Sequence, residues 1–199
     1  MLRRYRFIAP FALAYMAVGL GISLSQGNKE FLFYGAVMGV LIAFVVAVDA
    51  RVRFPAYVLW LLAIWGMMHM FGGTLPIPAG VTEPGKGSVL YNLRLAPWLP
   101  KYDQVTHAFG FFSATVASWY ALQRAAGGAL RPRFGPLMGA ALMGMGLGAA
   151  NEVVEFAAVL LIPETNVGGY VNTGWDLVSN MVGAVCGAIF LKLVAPRSV

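Results

Sequence analysis

The chain contains six long apolar segments, and this feature restricts its fold more than any other. A helix needs about 20 mainly apolar residues to cross the hydrocarbon core of a membrane. Six segments meet that requirement, and they cover about residues 7–25, 30–49, 55–73, 104–123, 135–162 and 174–195. The sequence therefore predicts an all-α, polytopic membrane protein in which residues 1–199 form one integral membrane domain, a bundle of six transmembrane helices.

The composition agrees with a membrane protein and differs from that of a soluble domain. Of the 199 residues, 59% are hydrophobic and only 11% are charged, whereas about a quarter of the residues in a soluble domain are charged. The net charge of +6 does not indicate nucleic-acid binding, because the basic residues lie in short connections and form no stripe interleaved with aromatic residues. We expect membrane lipid around the protein and no nucleic-acid partner.

The basic residues also predict the orientation of the bundle, because Lys and Arg are enriched in the cytoplasmic connections of membrane proteins. Alternate connections contain ten basic residues on one side and four on the other. The ten are Arg3, Arg4, Arg6, Arg51, Arg53, Arg124, Arg131, Arg133, Lys192 and Arg197. This distribution predicts that both termini are cytoplasmic and that the long connection, residues 74–102, is external, where it could roof a cavity.

Ionisable side chains lie near the same end of several apolar segments. Charge at membrane depth is costly and is found mainly where it has a function. With the predicted orientation, all of these side chains would lie in the outer half of the membrane: His69, Asp103, His107, Glu152, Glu155 and Asp176. Their common depth predicts a shared site near the outer surface.

Small residues repeat at helical spacing beside these polar residues and indicate which helix faces point inward. The three stripes are Asp103-His107-Gly110-Ala114-Ala117, Ala140-Gly144-Gly148-Glu152-Glu155 and Asp176-Asn180-Gly183-Gly187. Small residues allow close contact between helices in lipid. The polar ends of the stripes should therefore converge, together with His69, on one cavity. The alternative is that the polar residues make separate interhelical hydrogen bonds.

Four carboxylates in one such cavity cannot all remain ionised without compensation. No Lys or Arg lies in the outer half of any segment, so three solutions remain open. They are a bound cation, protonation of some carboxylates, or a side chain reaching in from the long connection, from Arg94 or Lys101. Carboxylates with one or two imidazoles suit a divalent ion such as Mg, Mn, Zn or Fe, and the sequence does not choose among these.

The candidate site residues fall into three groups. Four are predicted metal ligands: His107, Glu152, Glu155 and Asp176. Two are predicted catalytic residues, which orient a ligand or transfer a proton: Asp103 and His69. Three are amides predicted to bind and orient carboxylates or to bridge helices: Asn151, Asn172 and Asn180. No cofactor other than the ion is predicted.

Two of these residues have alternative interpretations. His69 lies four residues from the end of its segment and also suits a hydrogen bond to a carbonyl group or to interfacial water. Asp176 lies near the start of its segment and also suits a helix cap or a favourable first-turn charge.

Four motifs that contain these residues resemble a known family: His69-x-x-Gly72-Gly73, Tyr102-Asp103-x-x-x-His107-x-x-Gly110, Glu152-x-x-Glu155 and Trp175-Asp176-x-x-x-Asn180-x-x-Gly183. Over about residues 65–190 the pattern resembles the YjdF-like family of bacterial inner-membrane proteins, whose biochemical role is uncharacterised. The resemblance implies a multi-pass protein of a bacterial cytoplasmic (inner) membrane and supplies no substrate.

A looser resemblance extends to VanZ-like proteins, which are linked as a family to teicoplanin resistance. Those proteins carry an Asp and a His at the opening of one helix, a Glu on another, and an Asp followed by an Asn on a third. The position that matches Glu155 is typically Gln in them, so this chain is more similar to the YjdF-like family.

Three functions are compatible with these features, and the sequence leaves open whether the protein is an enzyme. The leading one is a metal-dependent hydrolase or transferase that acts on a lipid or lipid-linked substrate at the outer leaflet. The second is a proton- or cation-coupled transporter, although no inverted repeat is evident. The third is a non-enzymatic envelope factor of the YjdF-like or VanZ-like type, in which the polar cluster specifies helix packing or binds a lipid headgroup.

Overall fold

The computed structural model describes residues 2–82 and 87–195, and its regular structure is helical. A short helix and six long ones follow each other along the chain: α1 (Leu2–Tyr5), α2 (Ile8–Gln26), α3 (Lys29–Val52), α4 (Ala56–Gly72), α5 (Tyr102–Ala125), α6 (Phe134–Leu161) and α7 (Tyr170–Val194). The described residues contain two isolated β-bridges and no strand. The all-helical prediction is confirmed, and each apolar segment of the sequence coincides with one long helix.

Four of the helices, α2, α3, α6 and α7, are long and apolar enough to cross a membrane. Helix α4 is also apolar, but it has 17 residues, or about 26 Å at about 1.5 Å per residue, slightly less than the hydrocarbon thickness of about 30 Å. Helix α5 has 24 residues and is not among the four spans. These helices make the chain an integral membrane protein.

The polar character of α5 is explained by its central position. It packs against α4, α6 and α7, so its side chains contact protein on several faces. Ser113, Thr115 and Ser118 are all buried on this helix. The hydroxyl of Ser113 donates a hydrogen bond to the carbonyl oxygen of Phe109 at 2.7 Å, so this hydroxyl has its partner within the same helix. A helix in this position carries polar groups without exposing them to lipid.

Helices α5, α6 and α7 approach each other closely along the small-residue stripes. A Cβ atom added at Gly183 would lie 1.9 Å from the backbone oxygen of Ala108, and one added at Gly144 would lie 2.1 Å from the hydroxyl oxygen of Thr115. Neither position has room for a larger residue unless a helix or side chain moves. The stripes therefore lie at helix contacts and set the spacing of the polar residues above them.

The two ends of the bundle differ in chemistry. At one end, buried apolar side chains of α4, α5, α6 and α7 form a core cluster that includes Val58, Trp119 and Leu191. The polar residues lie at the opposite end, where α4 and α6 finish and where α5 and α7 begin. We call this the polar end.

The α4–α5 connection covers the polar end. It is ordered by two single-turn 3-10 helices and two bridges: Ala79–Val81, Leu90–Asn92, Pro76 with Val89, and Thr82 with Leu93. The ring of Tyr91 packs against the ring of His69 at the end of α4, with 5.8 Å between their centroids. This connection holds residues of the site in addition to covering it.

Helix α7 begins earlier than the sequence predicts, at Tyr170 and not at about residue 174. The carbonyl oxygen of Gly169 accepts hydrogen bonds from the N–H groups of Asn172 and Thr173 at 2.8 and 3.2 Å, which adds one polar turn ahead of the apolar segment. Asp176 therefore lies in the second turn, and its interpretation as a helix cap is wrong. Its side chain points into the bundle, where the residue is 0% exposed.

Candidate metal centre

His107 lies at the centre of the polar cluster, buried on α5. Its Nδ1 atom is 3.0 Å from the Oδ1 atom of Asn180 on α7. Because an amide oxygen only accepts hydrogen bonds, this contact places a proton on Nδ1 of His107. In the neutral imidazole, Nε2 then carries a lone pair that is available to a metal ion.

Three carboxylates surround this imidazole. The Nε2 atom of His107 is 3.6 Å from Oδ1 of Asp103 and 3.6 Å from Oε1 of Glu155, and its Nδ1 atom is 3.5 Å from Oε1 of Glu152. These distances are too long for good hydrogen bonds. The two distances from Nε2 are close to the roughly 3–3.5 Å that separates two ligand atoms of one tetrahedral ion with bonds of about 2 Å. Asp103 and Glu155 are thus spaced from Nε2 as ligands of one ion would be.

Two groups of three side chains have donor atoms close enough to share an ion. In each group, one donor atom of every member lies within 4.8 Å of the others. The first group is His107, Glu152 and Glu155, and the second is Asp103, His107 and Asp176. The structure therefore brings the four sequence-predicted ligands, together with Asp103, around one imidazole.

Lys101 compensates charge in the second group. Its Nζ atom is 2.8 Å from Oδ2 of Asp103 and also donates a hydrogen bond to Oδ1 of Asn172. Asn172 in turn donates from Nδ2 to Oδ2 of Asp176. Lys101 is itself buried, with 4% of its surface exposed. The sequence leaves open three ways to compensate the carboxylate charges. The structure contains one of them, in which Lys101 extends from the α4–α5 connection to Asp103.

Glu152 has no lysine or arginine partner among the described residues. Both of its carboxylate oxygens are buried, and their neighbours are the side-chain amide of Asn180 and Nδ1 of His107 at 3.5 Å, neither of which makes a well-formed hydrogen bond to them. Glu155 accepts one from Nδ2 of Asn151 at 2.9 Å, and one oxygen of Asp176, Oδ1, is without a donor in the same part of the chain. Buried carboxylate oxygens without donors are unfavourable, and a cation would satisfy them. The group of His107, Glu152 and Glu155 therefore fits an ion best.

His69 lies beside this centre and contacts the covering connection. Its Nδ1 atom is 2.5 Å from the hydroxyl of Tyr91. Burial raises the pKa of the Tyr91 phenol well above its ordinary value, and the charges of Asp103 and Glu155 raise it further. The phenol therefore keeps its proton and can donate it to Nδ1, which places the proton of a neutral His69 on Nε2.

A partly open cavity of about 20 Å³ adjoins the candidate metal centre. Its volume is sufficient for one water-sized group. Eight of its lining residues are polar or ionisable: Glu30, Tyr34, His69, Tyr91, Asp103, Glu155, Asn166 and Asn172. Asp103 and Glu155 also lie next to His107, so the cavity and the metal centre share a wall.

Sequence reasoning missed the contribution of α3. Glu30 is buried, with 7% exposed, and its Oε2 atom accepts a hydrogen bond from the backbone N–H of Asn166 at 2.7 Å. In the sequence it follows Lys29 at the start of an apolar segment, where a solvated charge is usual. One feature of the sequence could have indicated its role. Glu30 lies at the predicted outer end of its apolar segment, as the other acidic residues of the site do.

Comparison with known proteins identifies a family and does not assign an activity. A family model described as "Predicted membrane protein (DUF2238)" matches residues 7–197, which include all six long helices. No curated protein and no solved structure matches the chain significantly.

Proposed function

The chain belongs to the DUF2238 family of membrane proteins, and on that premise we propose that it is a metal-dependent hydrolase or transferase for a lipid or lipid-linked substrate. The observation that carries the proposal is the convergence of His107, Glu152 and Glu155, whose donor atoms lie within 4.8 Å of one another, with both carboxylate oxygens of Glu152 buried. Mg, Mn, Zn and Fe all accept carboxylate and imidazole ligands. The choice among them is left to experiment.

The proposed ligands are the members of the first donor group, whose donor atoms lie within 4.8 Å of one another: an imidazole nitrogen of His107 and carboxylate oxygens of Glu152 and Glu155. Asp176 is a fourth ligand candidate through Oδ1, the oxygen that has no donor in the described chain. Asn180 holds the tautomer of His107. An amide that fixes the second nitrogen of a ligating imidazole is a common supporting feature of metal sites.

A bound ion would supply Lewis-acid chemistry, because it polarises a phosphoryl or carbonyl oxygen and lowers the pKa of a bound water. In hydrolysis the water oxygen bonds to phosphorus or to the acyl carbon, and the bond to the leaving oxygen breaks. Asp103, which lines the cavity, is proposed to take the proton from water and return it to the leaving oxygen. His69, which also lines it, is proposed to orient the reacting group through the proton on its Nε2. In transfer, a hydroxyl group of the acceptor replaces the water.

We also propose that all six long helices cross the membrane, with both termini in the cytoplasm, because ten basic residues lie in the connections on one side and four on the other. The polar end is then beneath the outer headgroups of a bacterial cytoplasmic membrane, as the YjdF-like motifs imply. Exposed apolar side chains such as Phe156 and Leu160 on α6 and Ile189 on α7 suit contact with acyl chains. We propose that the substrate enters from the membrane along this surface, which favours a lipid.

The apolar end of the bundle favours catalysis at a site on one side of the membrane and disfavours transport across it. Val58, Val116 and Trp119 belong to the packed cluster that fills this end, and each is at most 1% exposed. Transport would require polar groups at both ends of a path. The buried residues of this packed cluster, within the described chain, include no ionisable side chain, so the cluster favours catalysis at the polar end over transport through the bundle.

Reconstituted protein is expected to convert a lipid only when a suitable ion is present. The assay incubates the protein in vesicles containing phospholipids, glycolipids and polyprenyl-linked lipids, adds Mg, Mn, Zn or Fe separately, and follows products by mass spectrometry. We expect a product with at least one ion. The product should disappear on chelation and in His107→Gln, because the substitution removes the central imidazole.

Glu164→Gln is the matched control, because this glutamate is exposed just beyond α6 and should not affect the reaction. Equal product from the His107→Gln variant and the unaltered protein would contradict the assignment. A protein that binds the ion and converts none of these lipids would instead be a non-enzymatic envelope factor.

A further inference from the structure

We propose that the cavity beside the metal centre binds a primary ammonium group, and that the substrate is therefore an aminophospholipid. This inference rests on the proposed function and adds the substrate class to it. In this arrangement a phosphate oxygen of the headgroup lies at the ion, and the amine, joined to the phosphate by a two-carbon linker, enters the cavity.

The cavity is lined by acidic side chains. Three of its lining side chains are carboxylates, those of Glu30, Asp103 and Glu155. Asp103 is paired with Lys101, and Glu155 would share the ion with His107. Glu30 instead receives a backbone N–H, from Asn166, which satisfies one oxygen without offsetting the charge. A cation in the cavity next to Glu30 is favoured for this reason.

Tyr34 provides a second, independent observation. It is 4% exposed and lines the cavity, and its hydroxyl has no hydrogen-bond partner among the residues that the structure describes. Tyr34 lies four residues after Glu30 on α3, so both side chains occupy the same helix face. A phenol oxygen and a carboxylate both accept hydrogen bonds from an ammonium group. The cavity therefore offers acceptors from two neighbouring turns of one helix.

The arrangement favours an ammonium group over a second metal ion or a water. Both groups of converging metal donors in the described chain contain His107, and Glu30 belongs to neither. A water would satisfy Tyr34 without offsetting the charge of Glu30. The volume of about 20 Å³ is sufficient for one water-sized group, which matches a primary ammonium group.

The test compares binding of three phospholipids with identical acyl chains to the detergent-solubilised protein, by native mass spectrometry and by the shift in melting temperature. Phosphatidylethanolamine is expected to bind at least about 10-fold more tightly than phosphatidylcholine or phosphatidylglycerol, because the latter two leave buried acceptors unpaired. Free ethanolamine, which lacks the phosphate and the chains, should bind at least about 100-fold more weakly than the lipid. Equal binding of free ethanolamine would overturn the lipid assignment.

Glu30→Gln is expected to abolish the preference for phosphatidylethanolamine, and Tyr34→Phe to reduce it, whereas Glu164→Gln should preserve it. Tyr34→Phe keeps the test decisive if Glu30→Gln does not fold. Equal binding of the three lipids, or a preference that survives both α3 substitutions, would overturn the inference.

Ion content measured in the same samples separates the proposed function from the proposed substrate class. Bound ion without lipid preference overturns only this inference, and lipid preference without any bound ion supports the subsite and overturns the proposed function.

Discussion

Glu152→Gln is expected to weaken divalent-ion binding by at least about 100-fold. Residues that only orient a metal ligand already change metal affinity by about 10–100-fold, and Glu152 is positioned as a ligand, 3.5 Å from His107. The amide of Gln removes the negative charge while keeping the size of the side chain. The measurement is a titration of ion-free protein with Mn²⁺, followed by electron paramagnetic resonance, with Glu164→Gln as the control.

The same substitution is expected to leave the ion-free protein at least as stable as before. It replaces a buried carboxylate whose oxygens receive no well-formed hydrogen bond in the described structure, and an unsatisfied buried polar group costs about 1–3 kcal/mol. If Glu152 served only helix packing, the variant would melt at a lower temperature and bind Mn²⁺ as the unaltered protein does. That pair of results would contradict its assignment as a ligand.

Lys101→Met is expected to destabilise the protein by about 3–5 kcal/mol, because removing one partner of a buried ion pair leaves the other charge uncompensated. The Nζ atom of Lys101 is 2.8 Å from Asp103, and the two side chains are 6% and 12% exposed. The measurement is the free energy of unfolding in detergent. Lys29→Met is the matched control, because Lys29 is exposed at the start of α3 and its replacement should change stability little.

Adding Asp103→Asn to Lys101→Met is expected to restore most of the lost stability, since no unpaired charge then remains at this position. Such a recovery separates the ion pair from the packing of the Lys101 side chain. A double variant as unstable as Lys101→Met alone would show that the pair does not set the stability of the polar end.

The helices could be predicted from the sequence because the thickness of a membrane fixes the length of an apolar segment. The apolar segments predict the starts of α5 and α7 two and four residues later than the structure has them. Tyr102 and Tyr170 begin polar turns that precede the apolar residues. Hydropathy detects the residues that face lipid or a core and is insensitive to a polar first turn. Helix α5 is the least apolar of the long helices for a related reason, because it faces protein on several sides and contacts little lipid.

The grouping of His107, Glu152 and Asp176 followed from helical periodicity, because small residues mark the faces on which α5, α6 and α7 meet. Contacts made by the connections have no such periodicity. The hydrogen bond of Tyr91 to His69, and that of Asn166 to Glu30, depend on how irregular segments fold over the polar end. For that reason the grouping of these polar side chains was predictable and the adjoining cavity was not.

The most direct test of the central claim is the metal content of the purified protein. After incubation with a mixture of divalent ions and removal of the excess, elemental analysis should find one ion for each chain. The Glu152→Gln variant, prepared in the same way, should retain much less. Folded protein that takes up no divalent ion, or that retains the same amount in both forms, would contradict a metal centre at His107, Glu152 and Glu155.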